Sequence, residues 1–155
     1  MVSRHERQVA SERRREAMAV LARASGSDLI ALWNEAGLPD DAETLRGPET
    51  GLVTVRGRMG GGGAAFNFGE ATVTRATVKL PTGEVGHAYA LGREKVKVRV
   101  AALVDALRQK PDLQEQIEEK ILVPLRERLA EADATRRAET AATKVDFFTM
   151  VRGED

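Results

Sequence analysis

Residues 66–91 decide the fold of this chain, and they read FNFGEATVTRATVKLPTGEVGHAYAL. The stretch Thr72–Leu80 is rich in β-branched residues, which favour strands, and the tetrapeptide PTGE at positions 81–84 has the composition of a turn. After this turn, alternate residues of Val85–Leu91 fall on one face, as in a returning strand. The sequence therefore predicts an antiparallel hairpin, and Gly69 is a candidate β-bulge in its first strand.

A further strand precedes this hairpin, because the hydrophobic period changes to two from Leu52 onward. Val53, Val55 and Met59 share one face, while the polar residues between them share the other. A glycine-rich run, RMGGGGAAF at positions 58–66, connects this strand to the next one. The pattern predicts an antiparallel sheet of three to five strands near the centre of the chain.

Two helices are predicted before the sheet, because apolar residues recur at helical spacing in Ala17–Ala24 and again in Leu29–Ala36. Ser27 is the predicted N-cap of the second helix, and Gly37 is expected to end it. The two helices form a predicted helical hairpin. Trp33 lies on the apolar side of the second helix, and it is assigned to the core rather than to a ligand site.

The sequence after the sheet also predicts helices. Val96–Leu107 is strongly amphipathic and is expected to cover one face of the sheet. Leu113–Ile121 predicts another helix, and Pro124 is expected to open a last, mostly charged one, since proline at the first helical position loses no helical hydrogen bond. Together, these patterns predict one α+β domain over residues 1–155, with residues 1–14 as a flexible extension. The domain is expected to end in a C-terminal, β-like arm, which is distinct in sequence from the strands of the central sheet.

Composition excludes several classes of function. Lys plus Arg equals Asp plus Glu, 24 each, so no summed charge attracts nucleic acid. The chain has no cysteine and 2 histidines, so neither a disulfide framework nor a metal site is expected. No signal peptide or run of bilayer length is recognised, so we expect a cytoplasmic protein without a membrane partner.

The glycine run suggests a phosphate-binding loop, but its context argues against a nucleotide fold. A dinucleotide loop needs a helix N-terminus directly after the glycines, whereas a strand pattern follows here. A flexible hairpin loop whose backbone approaches another molecule closely is favoured instead. The candidate anion-binding residues around this loop are Arg58, Gly60, Gly61, Gly63, Arg75, Arg93 and Lys95.

Two interpretations of these basic residues remain open. If the hairpins pair as predicted, Arg58 lies near Arg75, and guanidinium groups suit phosphate or phosphonate oxygens. Alternatively, both are surface strand residues with acidic neighbours such as Glu70, and spacing alone favours this second interpretation. His87 is interpreted as structural, because no partner that would make it a general base is recognisable. No catalytic residue is assigned.

The C-terminal segment, KVDFFTMVRGED at positions 144–155, concentrates aromatic residues after a charged helix. Aromatic residues, methionine and arginine are enriched at interface cores. The candidate partner-binding residues are Phe147, Phe148, Met150 and Arg152. The segment is predicted either to dock on a partner as an added strand or to return to this chain's own sheet as an edge strand, and both alternatives stay open.

Several motifs together resemble the PhnG family, the small G subunit of the bacterial carbon–phosphorus lyase core complex. The upstream segment MAVLARA fits the family's first helix more loosely, since Ala17 stands where a tryptophan is expected. The motifs are ETGLV (49–53), RMGGGGAAFNFGEATVTRATVKL (58–80), GREK (92–95), LVDAL (103–107) and VDFFTMVRG (145–153).

The resemblance implies an α+β subunit that works in a hetero-oligomer with H, I and J subunits and ATPase-like partners. With the H, I and L proteins it supports the reaction of an alkylphosphonate with MgATP, which gives ribose 1-phosphonate 5-triphosphate and adenine. MgATP is then a substrate of the complex, and no cofactor is expected on this chain alone. The alternative is a small anion-binding module without catalysis, which uses the Gly60–Gly63 loop with Arg58 and Arg75.

Overall fold

The structure, a computed structural model, describes residues 4–60 and 62–143. Within these residues, the strands form one antiparallel sheet in the order β1-β2-β3. This confirms the α+β class, the helical pair before the sheet and the expected minimum of three strands. The elements are α1 (Arg4–Arg23), α2 (Gly26–Ala36), β1 (Glu43–Arg58), β2 (Ala65–Lys79), β3 (Val85–Leu91), α3 (Lys95–Leu107), α4 (Pro111–Ile117), a π-helical segment (Glu118–Leu122) and α5 (Val123–Ala142).

The core lies between the sheet and α3, as the amphipathic pattern of that helix predicts. Leu103 and Val104 of α3 and Val78 of β2 are fully buried. Gly86 of β3 lies directly on α3, because a Cβ atom at this position would overlap the backbone carbonyl oxygen of Ala102. The other face of the sheet is not covered by helices of the described residues, since His87, Tyr89 and Leu91 on that face are exposed.

The N-terminal helices differ from the prediction at their start. Residues 4–14, expected to belong to an extension, form the first half of α1. The N-cap of α2 is Ser25 rather than Ser27, and its side chain accepts a hydrogen bond from the backbone N–H of Asp28 at 3.1 Å. Ser27 already lies inside the first turn, so it cannot serve as the preceding capping residue. Gly37 ends α2 with φ +62°, as predicted.

The C-terminal helices are continuous rather than separated at Pro124. Proline lacks the N–H that would bond the carbonyl four residues earlier. The π-helical segment just before it changes this register, since the Val123 N–H donates to the Glu118 carbonyl five residues back. The wider turn accommodates the proline at the second position of α5. None of the helices in the described ranges is both long and apolar enough to cross a membrane.

Candidate interaction and anion-binding surface

A long hairpin extends beyond the three-stranded part of the sheet. β1 and β2 pair from Glu43 opposite Lys79 to Arg58 opposite Ala65, whereas β3 pairs only with the Val73–Lys79 part of β2. The sheet is therefore three-stranded near the helices and two-stranded farther out. We call residues 52–72 the arm; it comprises the outer parts of β1 and β2 and the loop between them.

The arm is exposed on both sides. No described residue of the arm is buried, and Met59 and Phe68 are 77% and 74% exposed. The arm also carries two of the four phenylalanines of the chain, Phe66 and Phe68. An outer two-stranded ribbon with exposed aromatic side chains is unusual for a chain that acts alone, because apolar surface is normally buried.

A β-bulge at Phe68 sets the direction of both phenylalanines. Val55 is opposite Gly69 while Arg56 is opposite Asn67, so Phe68 is the extra residue on β2. The sequence predicted the bulge at Gly69, and the extra residue is the one directly before it. A Cβ atom on Gly57 would lie 3.8 Å from that of Phe68, and Gly57 is opposite Phe66. Both rings therefore point to the same side of the arm.

That side continues onto the uncovered face of the sheet. Gly86, Ala88 and Ala90 point into the core, so Tyr89 and Leu91, 52% and 72% exposed, face the opposite way. Val73 is opposite both Gly51 and Leu91, and Val53 lies two residues after Gly51 on β1, so the register places Val53 and Val73 on this face as well. We call this surface the apolar face; its members are Val53, Val55, Phe66, Phe68, Val73, Tyr89 and Leu91.

The opposite side of the arm is polar and basic. Arg56 and Arg58 lie on it, with Glu70 as the one acidic residue of the arm. Arg56 forms no hydrogen bond or ion pair within the described residues. We call this surface the basic face; its members are Leu52, Thr54, Arg56, Arg58, Ala65, Asn67, Glu70 and Thr72.

Part of the predicted anion site is assembled at the tip of the arm. Arg58 is the last residue of β1, and its Nη1 donates to the Gly63 carbonyl at 3.3 Å. The Gly63 N–H donates to the Met59 carbonyl at 3.2 Å, and Gly60 has φ +61°, a conformation that favours glycine. Gly61 lies outside the described residues. The arrangement brings one guanidinium group next to a tight glycine turn.

Arg75 does not belong to this tip, so the expected proximity of Arg58 and Arg75 is wrong. Arg58 is opposite Ala65, and Arg75 is ten residues farther along β2, about 33 Å at the rise of a strand. Arg75 Nε instead donates to Glu49 Oε1 at 2.6 Å, and Arg46 Nε lies 3.0 Å from the same oxygen. The strand register, which the sequence does not fix, separates the two arginines.

The remaining candidates lie at the base of the arm. Arg93 and Lys95 follow Gly92, whose φ of +93° ends β3. Leu91, just before them, is opposite Val73, which is eight residues from Ala65 at the tip. Both side chains are exposed. The structure therefore places Arg58, Gly60 and Gly63 at the tip and Arg75, Arg93 and Lys95 near the base of the arm, and their binding of an anion stays a prediction. The interface candidates Phe147, Phe148, Met150 and Arg152 lie outside the described residues.

Asp105 of α3 is a buried charged residue that was not predicted from the sequence. Its carboxylate accepts hydrogen bonds from Arg14 Nε at 2.9 Å, from Arg14 Nη2 at 2.7 Å and from the His87 backbone N–H at 2.9 Å. These bonds and the carboxylate charge raise the pKa of Arg14. A lone aspartate in the otherwise apolar stretch VAALVDAL was the available signal, since buried carboxylates are almost always paired.

A cleft of about 720 Å³ lies between α1 and the end of α3. Arg14 and Arg108 line it together with Glu6 and Asp105. Arg108 Nε is buried without a hydrogen bond and lies 4.0 Å from Glu118 Oε2, too far for one. Because groups of both charges line the cleft, its electrostatics select neither an anion nor a cation.

Lys97 of α3 is also buried, at 5% exposure. Its Nζ donates to the Ala22 carbonyl at 2.9 Å, in the last turn of α1, where a cation complements the helix dipole. Burial lowers the pKa of Lys97, and Glu94 partly opposes this effect. Lys97 therefore ties α1 to α3. The described residues contain no group of three or more His, Cys, Asp or Glu that could hold a metal ion.

Comparisons with known proteins agree with the motifs. The family model of the phosphonate metabolism protein PhnG matches residues 12–153. A protein of Rhizobium meliloti (strain 1021), the alpha-D-ribose 1-methylphosphonate 5-triphosphate synthase subunit PhnG, is 51% identical over 142 residues, which cover 92% of this chain and 90% of that protein. Both the arm and the undescribed tail motif fall inside the family match. The chain therefore belongs to the PhnG family of phosphonate metabolism proteins.

Proposed function

We propose that this chain is a non-autonomous subunit of alpha-D-ribose 1-methylphosphonate 5-triphosphate synthase. The reaction is that of an alkylphosphonate with MgATP, which gives ribose 1-phosphonate 5-triphosphate and adenine. The observation that carries the proposal is the 51% identity, across 92% of the chain, to a protein with this name. Its partners are the H, I and J subunits of the carbon–phosphorus lyase core complex and the ATPase-like subunits, in the cytoplasm.

The side chains of the described residues support a role in assembly. Several charged side chains of the helices form ion pairs with one another, as in Arg14 with Asp105 and Arg126 with Glu118. The arm, by contrast, has exposed aromatic residues, and its Arg56 has no ion pair with any described residue. Groups held in ion pairs within the chain stabilise its fold, whereas exposed apolar surface is suited to contact with another subunit.

Reconstitution tests this function directly. The synthase subunits are co-expressed with and without this chain, and adenine release from MgATP and methylphosphonate is measured. We expect release only when this chain is present, and none from this chain alone. Full activity of the remaining subunits without it, or release by the purified single chain above a protein-free control, contradicts the proposal.

A second candidate function is anion binding at the tip of the arm. The observation in its favour is the placement of Arg58 beside the glycine turn, with a single 3.3 Å hydrogen bond to the Gly63 carbonyl. Planar guanidinium donors match phosphate and phosphonate oxygens. Titration of the isolated chain with MgATP or methylphosphonate tests it, since a subunit with a purely structural role binds neither.

A further inference from the structure

We propose that the arm is inserted into another subunit of the synthase, which encloses it on both sides. In this arrangement the partner presents apolar side chains to the apolar face and carboxylates to the basic face. The inference rests on the proposed function, because it requires that the chain is one subunit of a larger enzyme. It identifies the surface through which this chain is held and the chemistry of the partner.

The first argument is that the arm has neither a third strand nor a covering helix within residues 4–60 and 62–143. β3 ends at Leu91 opposite Val73, so neither strand of the arm has a third strand beside it among the described residues. No described helix covers it either, since none of its described residues is buried. A two-stranded ribbon without a covering layer is marginally stable in water. A partner that covers the arm supplies the missing layer.

The second argument is the distribution of exposed apolar side chains. Phe68 and Leu91 are 74% and 72% exposed on the apolar face, and Met59 is 77% exposed at the tip. Leu52, on the opposite side, is 62% exposed. Aromatic residues and methionine are enriched at the cores of protein interfaces. Exposed apolar residues therefore lie on both sides of the arm and at its tip. A partner that contacts only one face of the arm would leave part of this apolar surface exposed to water.

The third argument is the area available. The Ala65–Thr72 part of β2 makes the arm about 26 Å long at about 3.3 Å per residue, and two strands make it about 10 Å wide. One face therefore offers about 260 Å², well below the roughly 800 Å² that each partner buries in a specific interface. Enclosure of both faces and both edges reaches that area. The edges are also available, since no strand of the described residues lies beside them.

The fourth argument is charge. The basic face carries Arg56 and Arg58 against the single carboxylate of Glu70, and neither arginine forms an ion pair within the described residues. Enclosed arginines need carboxylates or carbonyl groups opposite them. The partner surface is therefore acidic on this side and apolar on the other. A nucleic-acid partner fits neither the apolar face nor the chain's zero formal net charge.

Co-expression with the other synthase subunits, one of which carries an affinity tag, tests the inference. Wild-type chain is compared with Phe66→Ser/Phe68→Ser and with Arg56→Glu/Arg58→Glu. The matched control is Val123→Ser, which changes an exposed apolar residue of α5 far from the arm in sequence. We expect recovery of each arm variant to fall tenfold or more, as at interface hot spots, and recovery of the control to be unchanged.

Two further measurements separate the explanations. Thermal melting of the isolated variants should match the wild type, because both phenylalanines are already exposed in the chain. Trypsin should cut the isolated chain after Arg56 or Arg58 and spare these sites in the assembled enzyme. Arm variants that are recovered at the wild-type level overturn the inference. A wild-type chain that is recovered with no other subunit overturns the proposed function as well.

Two alternative occupants give distinct results, and each overturns the inference. If a second copy of the chain covers the arm, the isolated wild-type chain is a dimer, and Phe66→Ser/Phe68→Ser converts it to a monomer. Trypsin cleavage after Arg56 or Arg58 is then blocked already in the isolated wild-type chain. If the chain's own residues 144–155 cover it, cleavage after Arg56 or Arg58 is blocked in the isolated chain and is restored when those residues are deleted.

Discussion

Arg14 of α1 holds Asp105 of α3 with two parallel hydrogen bonds, Nε to Oδ1 at 2.9 Å and Nη2 to Oδ2 at 2.7 Å. The same carboxylate accepts the backbone N–H of His87 in β3 at 2.9 Å. Asp105 is 3% exposed, so water does not replace these bonds. One carboxylate therefore joins the first helix, the last strand and the central helix.

The first prediction concerns this carboxylate. Asp105→Ala leaves the Arg14 guanidinium and the His87 N–H without their acceptor, and we expect it to lower the free energy of unfolding by about 2 to 4 kcal/mol, between the values for partly and fully buried pairs. Urea denaturation measures this. The control is Arg136→Ala, which removes an exposed contact to Asp133 and should cost less than about 1 kcal/mol. Equal losses in both variants contradict the prediction.

The second prediction concerns the contact of β3 with α3. Gly86→Ala places a methyl group against the Ala102 carbonyl and the Ala106 backbone, so the helix must move away from the sheet. We expect a loss of about 1 to 3 kcal/mol, as in overpacked cores. Gly51→Ala is the control, because nothing lies within 4 Å of a Cβ atom there, and its effect should stay within about 0.5 kcal/mol. An unchanged melting temperature for Gly86→Ala means that the strand is not seated on α3.

The third prediction concerns pH and Lys97. Its pKa in the folded chain is lowered below the ordinary 10.5 by burial, so between the two values the unfolded chain binds one more proton than the folded chain. Stability therefore rises with pH through this window. Lys97→Met should abolish that rise, measured as the free energy of unfolding from neutral pH to about 10.5. Lys120→Met, which changes an exposed lysine, should leave the rise in place; a persistent rise in Lys97→Met contradicts the assignment.

Periodicity and turn chemistry were sufficient for α2, α3 and the hairpin, but not for the start of β1. The prediction began this strand at Leu52, whereas it begins at Glu43. The earlier part contains Pro48 and lacks a period of two, yet proline is tolerated on an edge strand, and irregular register between Thr44 and Glu49 accommodates it. Local signals of this kind do not show whether a strand will lie at an edge.

The errors at the candidate site have a common physical origin. The proximity of Arg58 and Arg75 depended on the strand register, which puts Arg58 opposite Ala65, ten residues along β2 from Arg75. Asp105 and Arg14 are 91 positions apart in sequence, so no local pattern pairs them. The glycine turn, by contrast, was recognisable, because it depends on neighbouring residues alone. Long-range pairing decides the rest.

The fourth prediction concerns Arg58 in the assembled enzyme. If its guanidinium group positions a phosphate or phosphonate, Arg58→Lys keeps the charge but loses the paired donors, and we expect adenine release to fall about tenfold, or about 1.4 kcal/mol. Arg75→Lys is the matched control, because Arg75 is paired with Glu49 and lies ten residues along β2 from the position opposite Arg58. Its rate should stay near the wild type. Equal rates for both variants in an intact complex leave Arg58 as a surface residue.

The last prediction concerns Phe147 and Phe148, which lie outside the described residues and were assigned to a partner interface. If they dock on a partner, truncation of the anchoring residue to Ala should cost about 2 kcal/mol or more of association, with an unchanged melting temperature. If the segment instead completes this chain's own sheet, the same change should cost about 3 to 5 kcal/mol of stability.

Thermal melts and pull-downs on Phe147→Ala, Phe148→Ala and a deletion from Val145 onward distinguish these outcomes. We expect the docking result, because the interface residue types in this segment are the same as those on the arm, where Phe68 and Met59 stay exposed. A lowered melting temperature supports the edge strand. If neither the melting temperature nor the pull-down changes, both the docking and the edge-strand hypotheses are contradicted. If binding of the partner is then still lost when Phe68 is changed, the arm alone binds the partner.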